Sequence, residues 1–261
     1  MIEEKCLELR QLIIKTAFRT SAGAHFGGSL SLVEILEALY SRASISNNEH
    51  RDRIILSKGH GALALYCILM QKGIIAEAVL NDFEQNGSEL FAHAKRNIAR
   101  GIEFSGGSLS LGVSFAIGVA LACRDKAINN RIYVVLGDGE CNEGLVWESI
   151  MAAANYHLNN LTFIVDRNHM QSDGDVDDIM KVDSLATKFS AFGCRSLEVD
   201  GHSIKQLLSA MKVVDSDRPV AIIANTVKGK GVSFMENNAQ WHYASMSEKQ
   251  YQQAMEELNR G

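Results

Sequence analysis

The chain has 261 residues, of which 46% are hydrophobic, and this length is sufficient to bury one substantial core. Its formal net charge of −5 gives no basic surface, which argues against nucleic acid as the main partner. The five cysteines are odd in number and form no CxxC pair, which excludes a disulfide scaffold and a structural zinc site.

The expected location is the cytoplasm, with no membrane partner. The first 19 residues are interspersed with Glu, Lys and Arg and do not resemble a signal peptide. The longest nearly apolar run, over 109–123, is too short and too rich in glycine to span a bilayer, and it predicts a buried helix.

The first part of the chain predicts two helices joined by a glycine-rich loop. Apolar residues recur at helical spacing over 2–20, which indicates an amphipathic opening helix. The loop over 21–30 carries His25, and a second helix is expected over about 31–44. Since a histidine among glycines has few neighbours to bury it, we expect His25 to face a ligand. An ordinary loop residue is the alternative.

A predicted strand over 51–56 leads into Lys58, Gly59 and His60 at the start of a helix that ends near residue 72. The free N–H groups and the dipole of such a helix start suit an anion. A simple helix cap with solvated Lys58 and His60 is the alternative, and we interpret His60 as functional.

The stretch over 86–107 is the longest without clear periodicity, and loops of this length in compact domains are usually functional or disordered. It contains His93 and leads into a turn with Gly107 and Leu109. The apolar helix that follows contains Gly112 and Gly118, which we expect to allow close packing against a neighbour.

The centre of the chain predicts a βαβ unit with a cation site. Two apolar runs over 132–136 and 161–165 flank a helical run over 145–157. Asp138 follows the first strand in a Gly-Asp-Gly turn, and Asn168 follows the second. Adjacent parallel strands lie about 4.8 Å apart, so Asp138 and Asn168 can converge on one hard cation, with the Met170 carbonyl nearby.

Three protein oxygens leave a Mg²⁺ ion short of its preferred six ligands, and the remainder commonly come from water and substrate phosphates. The pattern therefore predicts a ligand that carries a diphosphate. The alternative is that Gly-Asp-Gly is only a turn and Asn168 a turn amide. The helix over 145–157 is apolar almost all round, which places it between layers or in a subunit interface.

The remainder alternates helix and strand. We expect helices over 183–192, 204–214 and 247–259, and strands over 195–199 and 219–225. His202 follows one strand and is expected to cap the next helix, with a catalytic role as the alternative. The lysines over 226–231 suit a mobile flap over phosphate. The fold class is α/β: one domain over 1–261, in three layers, with a mainly parallel central sheet and helices on both faces.

These motifs resemble one family. Gly-Asp-Gly followed after 28 residues by Asn168 is similar to the thiamin-diphosphate motif, and the chain over about 17–243 resembles the N-terminal half of a transketolase. The loops with His25, His60 and His93 and the segment with His242 match family segments. The sequence departs from the family at Phe26, Ser110 and Tyr243, where proline, glycine and glycine are usual.

The resemblance implies a site for thiamin diphosphate and Mg²⁺, with Ca²⁺ or Mn²⁺ as substitutes for the metal. The implied metal ligands are Asp138, Asn168 and Met170. The implied cofactor contacts are His60, Gly107, Leu109, Gly137, Asp138, Gly139, Glu143, Asn168 and His242. The implied catalytic residues are His25, His60, His93, His242 and Glu143, with Glu143 across the interface from the second half of the active site.

The resemblance further implies a partner. The chain stops before the family's pyrimidine-binding domain, which is therefore expected on a second chain, with two copies of each chain in the assembly. The expected reaction moves a two-carbon ketol unit from a ketose or its phosphate to an aldose acceptor. A subunit of another thiamin-diphosphate enzyme, of the deoxy-sugar-phosphate synthase type, and a non-catalytic nucleotide-binding module are the alternatives. The four histidines favour polyol sugars over pyruvate.

Overall fold

A parallel sheet of five strands forms the centre of the computed structural model, which describes residues 2–20, 22–45 and 48–260. The strands are β1 (Arg53–Leu56), β2 (Ile132–Gly137), β3 (Leu161–Arg167), β4 (Arg195–Asp200) and β5 (Val220–Asn225). Their order across the sheet is β1-β2-β3-β5-β4, and every neighbouring pair is parallel. All carboxyl ends therefore lie at one edge, as the sequence predicts.

Helices cover both faces of this sheet. They are α1 (Ile2–Arg19), α2 (Gly27–Leu30), α3 (Val33–Arg42), α4 (Ala62–Gln71), α5 (Glu77–Asn81), α6 (Leu111–Asp125), α7 (Gly144–Asn155), α8 (Val176–Ile179), α9 (Leu185–Ala191), α10 (Ile204–Ala210) and α11 (Glu248–Arg260). Among the described residues, no helix is both long and apolar enough to cross a membrane.

Alternation along the central strands separates two hydrophobic cores. Val135 of β2 belongs to the core with α1, α3 and α4, whereas its neighbour Val134 belongs to the core with α6, α7 and α9. Successive side chains of a strand point to opposite faces, so a strand covered on both sides is apolar at consecutive positions. All six positions of β2 are buried, which confirms the predicted three-layer α/β fold.

Several predicted boundaries differ from the structure. The loop expected over 21–30 is already helical from Gly27, and a break separates the short helix α2 from α3. Helix α10 ends at Ala210, before the predicted residue 214. The residue that caps α10 is Ser203, whose side chain accepts a hydrogen bond from the Gln206 N–H, so the capping role expected for His202 is wrong.

Two glycines of α6 have different surroundings. A Cβ atom on Gly112 would lie 2.6 Å from the Cα atom of Ser57, so this glycine lets α6 approach the end of β1 closely. A Cβ atom on Gly118 would meet nothing within 4 Å among the described residues. The expected close packing is therefore confirmed for Gly112 and wrong for Gly118 within this chain.

The first prediction uses this pair. Gly112→Ala should lower the thermal unfolding temperature of the purified chain, because overpacking against backbone costs about 1–3 kcal/mol. Gly118→Ala in the same helix should leave stability equal or raise it by up to about 1 kcal/mol, since alanine favours a helix more than glycine does. Thermal unfolding at one fixed protein concentration measures both, and equal destabilisation by the two variants would contradict the packing described.

Candidate functional site

A cavity of about 230 Å³ lies at the carboxyl ends of β1, β2 and β3. Most of the residues that the sequence nominates line it: His25, His60, His93, Gly107, Leu109, Gly137, Asp138, Gly139, Asn168, Met170 and His242. Glu143 does not line it and is exposed at the start of α7. Gly28, Lys58, Glu140, Gln171, Ser172 and Lys228 also line it.

Four histidines from distant parts of the chain meet in this cavity. The ring centroid of His25 lies 5.1 Å from that of His93, 5.3 Å from that of His242 and 5.8 Å from that of His60. The backbones of Ala24 and Ala244 exchange two hydrogen bonds, of 2.9 and 3.1 Å, which brings the loop of His25 against the segment of His242. The arrangement makes one cluster of imidazole groups.

Three of these imidazoles are neutral near pH 7. Burial, followed by the neighbouring His242 and His93, lowers the pKa of His25 to about 3. Burial and the Lys228 ammonium lower the pKa of His242 to about 4, and burial and Lys58 hold the pKa of His60 well below its usual value. A neutral imidazole has one N–H donor and one acceptor nitrogen, so these rings can both donate hydrogen bonds to and accept them from a polar ligand.

A buried ion pair joins the strand ends beneath the cavity. The Lys58 ammonium after β1 lies 2.5 Å from Asp166 of β3, and both side chains are almost completely buried. Asp166 also accepts hydrogen bonds from the hydroxyls of Ser31 and Thr226. Burial opposes ionisation of Asp166, but the Lys58 ammonium and these donors outweigh it and hold the pKa of this carboxyl below its usual value.

The predicted metal ligands Asp138 and Asn168 directly follow the neighbouring strands β2 and β3. Asp138 accepts hydrogen bonds from the backbone N–H groups of Gly139, at 2.9 Å, and His169, at 2.6 Å. Asn168 accepts a hydrogen bond from the Met170 N–H at 3.1 Å. Asp138 is buried, and burial together with the nearby Asp166 carboxylate raises its pKa to about 6. A cation would favour the ionised form, so this carboxyl group fits a metal ligand.

The chemistry of the available donors also fits a hard cation. Within the described residues, no group of three or more His, Cys, Asp or Glu side chains could hold a metal ion. A site built on Asp138 and Asn168 would instead use one carboxylate, one amide oxygen and a backbone carbonyl. Such oxygen donors suit Mg²⁺, which keeps several waters and binds through one or two carboxylates plus substrate phosphates.

Lys228 is a cavity residue that the sequence indicated only as part of a flexible flap. Its ammonium donates to the Gln171 carbonyl at 2.6 Å and lies 3.1 Å from Nδ1 of His242. Burial, followed by the Lys58 charge, lowers its pKa to about 8. The other lysine of the segment, Lys230, points elsewhere and pairs with Glu236 at 3.3 Å. Because Lys58 is paired with Asp166, Lys228 is the lysine that makes the cavity suitable for an anion.

Glu140 and Tyr243 make contacts that join separate segments around the cavity. Glu140 is buried and accepts hydrogen bonds from the Ser110 N–H at 2.8 Å and the Gly137 N–H at 3.1 Å, which ties the start of α6 to the end of β2. Tyr243 packs its ring 4.8 Å from that of His25 and donates its hydroxyl to the Ala22 carbonyl at 2.6 Å. The ring of Tyr243 therefore lies directly against the histidine cluster.

Comparison with known proteins identifies the family of this chain. The model for "Transketolase, thiamine diphosphate binding domain" matches residues 2–259. An apulose-4-phosphate transketolase subunit from Actinobacillus succinogenes is 36% identical over 263 residues, covering 98% of this chain and 95% of that protein. The 6-deoxy-6-sulfo-D-fructose transketolase subunit SqwG of a Clostridium species is also 36% identical and covers 97% of this chain and 94% of that protein.

Solved transketolases share the fold but are longer. The Leishmania mexicana enzyme superposes with a TM-score of 0.91 at 23% identity, and the Campylobacter jejuni enzyme with 0.90 at 26%. Each match covers 99% of this chain but only 41% and 43% of those chains, respectively. The relatives' names favour a transketolase over the two alternatives. The chain belongs to the transketolase family of transferases and carries the family's thiamin-diphosphate-binding domain.

Proposed function

We propose that this chain is one subunit of a two-chain transketolase, which moves a two-carbon ketol unit from a ketose to an aldose acceptor. The observation that carries this proposal is the single cavity in which four histidines, two lysines and the pair of Asp138 and Asn168 meet. Its position at the carboxyl ends of parallel strands is where α/β folds bind ligands.

We assign the diphosphate and metal end of the cofactor to the strand ends. Asp138, Asn168 and the Met170 carbonyl would hold Mg²⁺, and Lys228 would contribute positive charge toward the diphosphate. Thiamin diphosphate, when bound, supplies the electron sink that allows a carbon–carbon bond beside a carbonyl group to break. The chain's own residues bind and orient the reactants and move protons at their hydroxyl groups.

The histidines are assigned to the sugar. His242 accepts a hydrogen bond from Lys228 at Nδ1, so its proton is on Nε2, from which it can donate to a substrate oxygen. His25, His60 and His93 surround the same space and would hydrogen-bond the hydroxyls of a polyol. Neutral imidazoles are suited to this task because they can accept a proton from one hydroxyl and donate one to another.

We propose a ketose as the donor and an aldose as the acceptor, and each is either a free sugar or a sugar with an anionic group. The names of two relatives specify apulose-4-phosphate and 6-deoxy-6-sulfo-D-fructose, which both carry such a group. Tyr243 packs on His25 where the family usually has glycine, so its ring narrows the space beside this histidine.

A partner chain is the last part of the proposal. Both relatives named above are called transketolase subunits. Leu111 on α6 is 47% exposed and Met151 on α7 is 57% exposed, and these helices pack against each other. We infer that the partner covers these two exposed apolar side chains. We assign the pyrimidine-binding domain to the partner, with Glu143 facing it, in a cytoplasmic assembly of two copies of each chain.

The metal assignment predicts that Asp138→Ala abolishes Mg²⁺-dependent binding of thiamin diphosphate, and that Asn168→Ala weakens it severely. Each change removes one of about three protein ligands. Isothermal titration of the complex with its partner measures the affinity, and circular dichroism checks the fold. Asp178→Ala is the matched control, because Asp178 is exposed on α8 and does not line the cavity. Wild-type affinity in the Asp138 variant would refute the assignment.

The sugar assignment predicts that His25→Ala and His242→Ala lower turnover far more than they weaken cofactor binding. Loss of one positioned proton-transfer group typically lowers a rate by roughly 10²–10⁴-fold. Steady-state kinetics at saturating thiamin diphosphate, with His50→Ala as an exposed control, separates the two effects. A variant that loses the cofactor yet turns over normally once saturated with it would show that its histidine has another role.

The two-chain assignment predicts that the purified chain alone has no ketol-transfer activity, because the cofactor's pyrimidine end is assigned to the partner. Activity should appear on addition of the partner, saturate with its concentration, and require both Mg²⁺ and thiamin diphosphate. The lone chain should self-associate or be poorly soluble, since its apolar interface is uncovered. An assay with several ketose donors, and with ribose 5-phosphate or simple aldehydes as acceptors, tests this prediction. Robust turnover by the pure chain would refute the two-chain assignment.

A further inference from the structure

His202 is a histidine outside the cavity to which no role has yet been assigned. His202 follows β4, does not cap α10, and does not line the cavity with the other histidines. It instead joins a chain of charged groups behind the segment that carries Lys228, which we call the rear clamp: Arg10 of α1, Glu34 of α3 and His202.

The rear clamp is continuous from helix to helix. Arg10 and Glu34 form a bidentate ion pair, with nitrogen–oxygen distances of 2.7 and 2.8 Å, and both residues are at most 8% exposed. Glu34 then contacts Nδ1 of His202 at 2.9 Å. Paired forks of this kind fix the relative orientation of the two side chains as well as their distance.

Both ends of the rear clamp hold the backbone on either side of Lys228. The Val227 N–H donates to Nε2 of His202 at 2.9 Å, and Nε of Arg10 donates to the Lys230 carbonyl at 3.1 Å. A backbone N–H can only donate, so Nε2 must carry the lone pair and Nδ1 the proton that is donated to Glu34. His202 is therefore held as one neutral tautomer between a carboxylate and a peptide group.

We propose that His202 is a positioning residue that acts, through Val227, on the Lys228 ammonium. Lys228 extends from the clamped backbone into the cavity, where it contacts the Gln171 carbonyl and Nδ1 of His242. Between the two clamp contacts, the Gly229 N–H donates to the Gly27 carbonyl at 3.0 Å. The segment is thus fixed at three points, and the predicted flap is a rigid support for a cation.

The role assigned to Lys228 rests on the proposed function, but the clamp can be tested separately from it. Two variants of His202 divide its two hydrogen bonds. His202→Gln can place its amide oxygen near the Nε2 position and keep the acceptor for Val227, whereas His202→Asn can replace only the Nδ1 donor toward Glu34. The matched controls are His50→Gln and His50→Asn, since the His50 side chain is 63% exposed and its ion-pair contact is with Glu49.

The first measurement is amide hydrogen exchange over 226–231 in the chain assembled with its partner, without ligand. His202→Asn should speed exchange at Val227 by on the order of tenfold, because one buried hydrogen bond is lost, and His202→Gln should change it much less. Unchanged exchange in the Asn variant would overturn the clamp. This measurement requires no ligand and no activity.

The second measurement is isothermal titration of inorganic pyrophosphate with Mg²⁺ into the chain assembled with its partner. His202→Asn should raise the dissociation constant on the order of tenfold, with most affinity restored in His202→Gln. In a Lys228→Ala background, His202→Asn should have little further effect, because the group that it positions is gone. Equal effects in both backgrounds would show a general structural role and overturn the proposal.

The two measurements separate the possible failures. Absence of pyrophosphate binding by the wild-type complex would count against the proposed cofactor site, while hydrogen exchange would still decide whether His202 holds the segment. Faster exchange in the Asn variant together with unchanged pyrophosphate affinity would overturn the link from His202 to Lys228.

Discussion

The buried ion pair between Lys58 and Asp166 is the interaction on which the site depends. It joins the residue two positions past β1 to a residue of β3, and Ser31 and Thr226 add hydrogen bonds from two further segments. Removal of one partner from such a buried pair typically costs about 3–5 kcal/mol, because it leaves an uncompensated charge. The ends of β1, β3 and β5 and the residues before α3 are thereby held together beneath the cavity that Asp138 and Asn168 line.

The same pair determines the electrostatics of the cavity. Lys58 compensates the charge of Asp166, whereas burial and the nearby Asp166 carboxylate raise the pKa of Asp138, so the Asp138 carboxyl group suits an added cation. Lys228 has the opposite requirement, as a cation with a lowered pKa that suits an added anion. A metal diphosphate brings both charges at once. The neutral rings of His25, His60 and His242 then occupy the remainder of the space, where charged rings beside two lysines would be unfavourable.

The sequence predicted the sheet and most of the cavity because these depend on local patterns. Short apolar runs mark the strands, and a polar residue directly after a strand must lie at the ligand-binding edge, as Asp138 and Asn168 do. Lys58, Asp166 and Lys228 were not recognised as a unit, since the contact between Lys58 and Asp166 spans more than a hundred residues of sequence. The prediction that His202 caps α10 was wrong for the same reason, since its contact with Glu34 also joins residues far apart in the sequence. Glu143 is exposed and does not line the cavity, so this chain does not bring it together with the other predicted site residues.

Anomalous diffraction from Mn²⁺, in crystals of the complex with thiamin diphosphate, tests whether Asp138, Asn168 and Met170 hold the metal. We expect one anomalous peak about 2–2.5 Å from an Asp138 oxygen, the Asn168 amide oxygen and the Met170 carbonyl. The cofactor's diphosphate should bridge that peak and the Lys228 ammonium. A peak away from these three oxygens, or a diphosphate bound outside the histidine-lined cavity, would contradict the account.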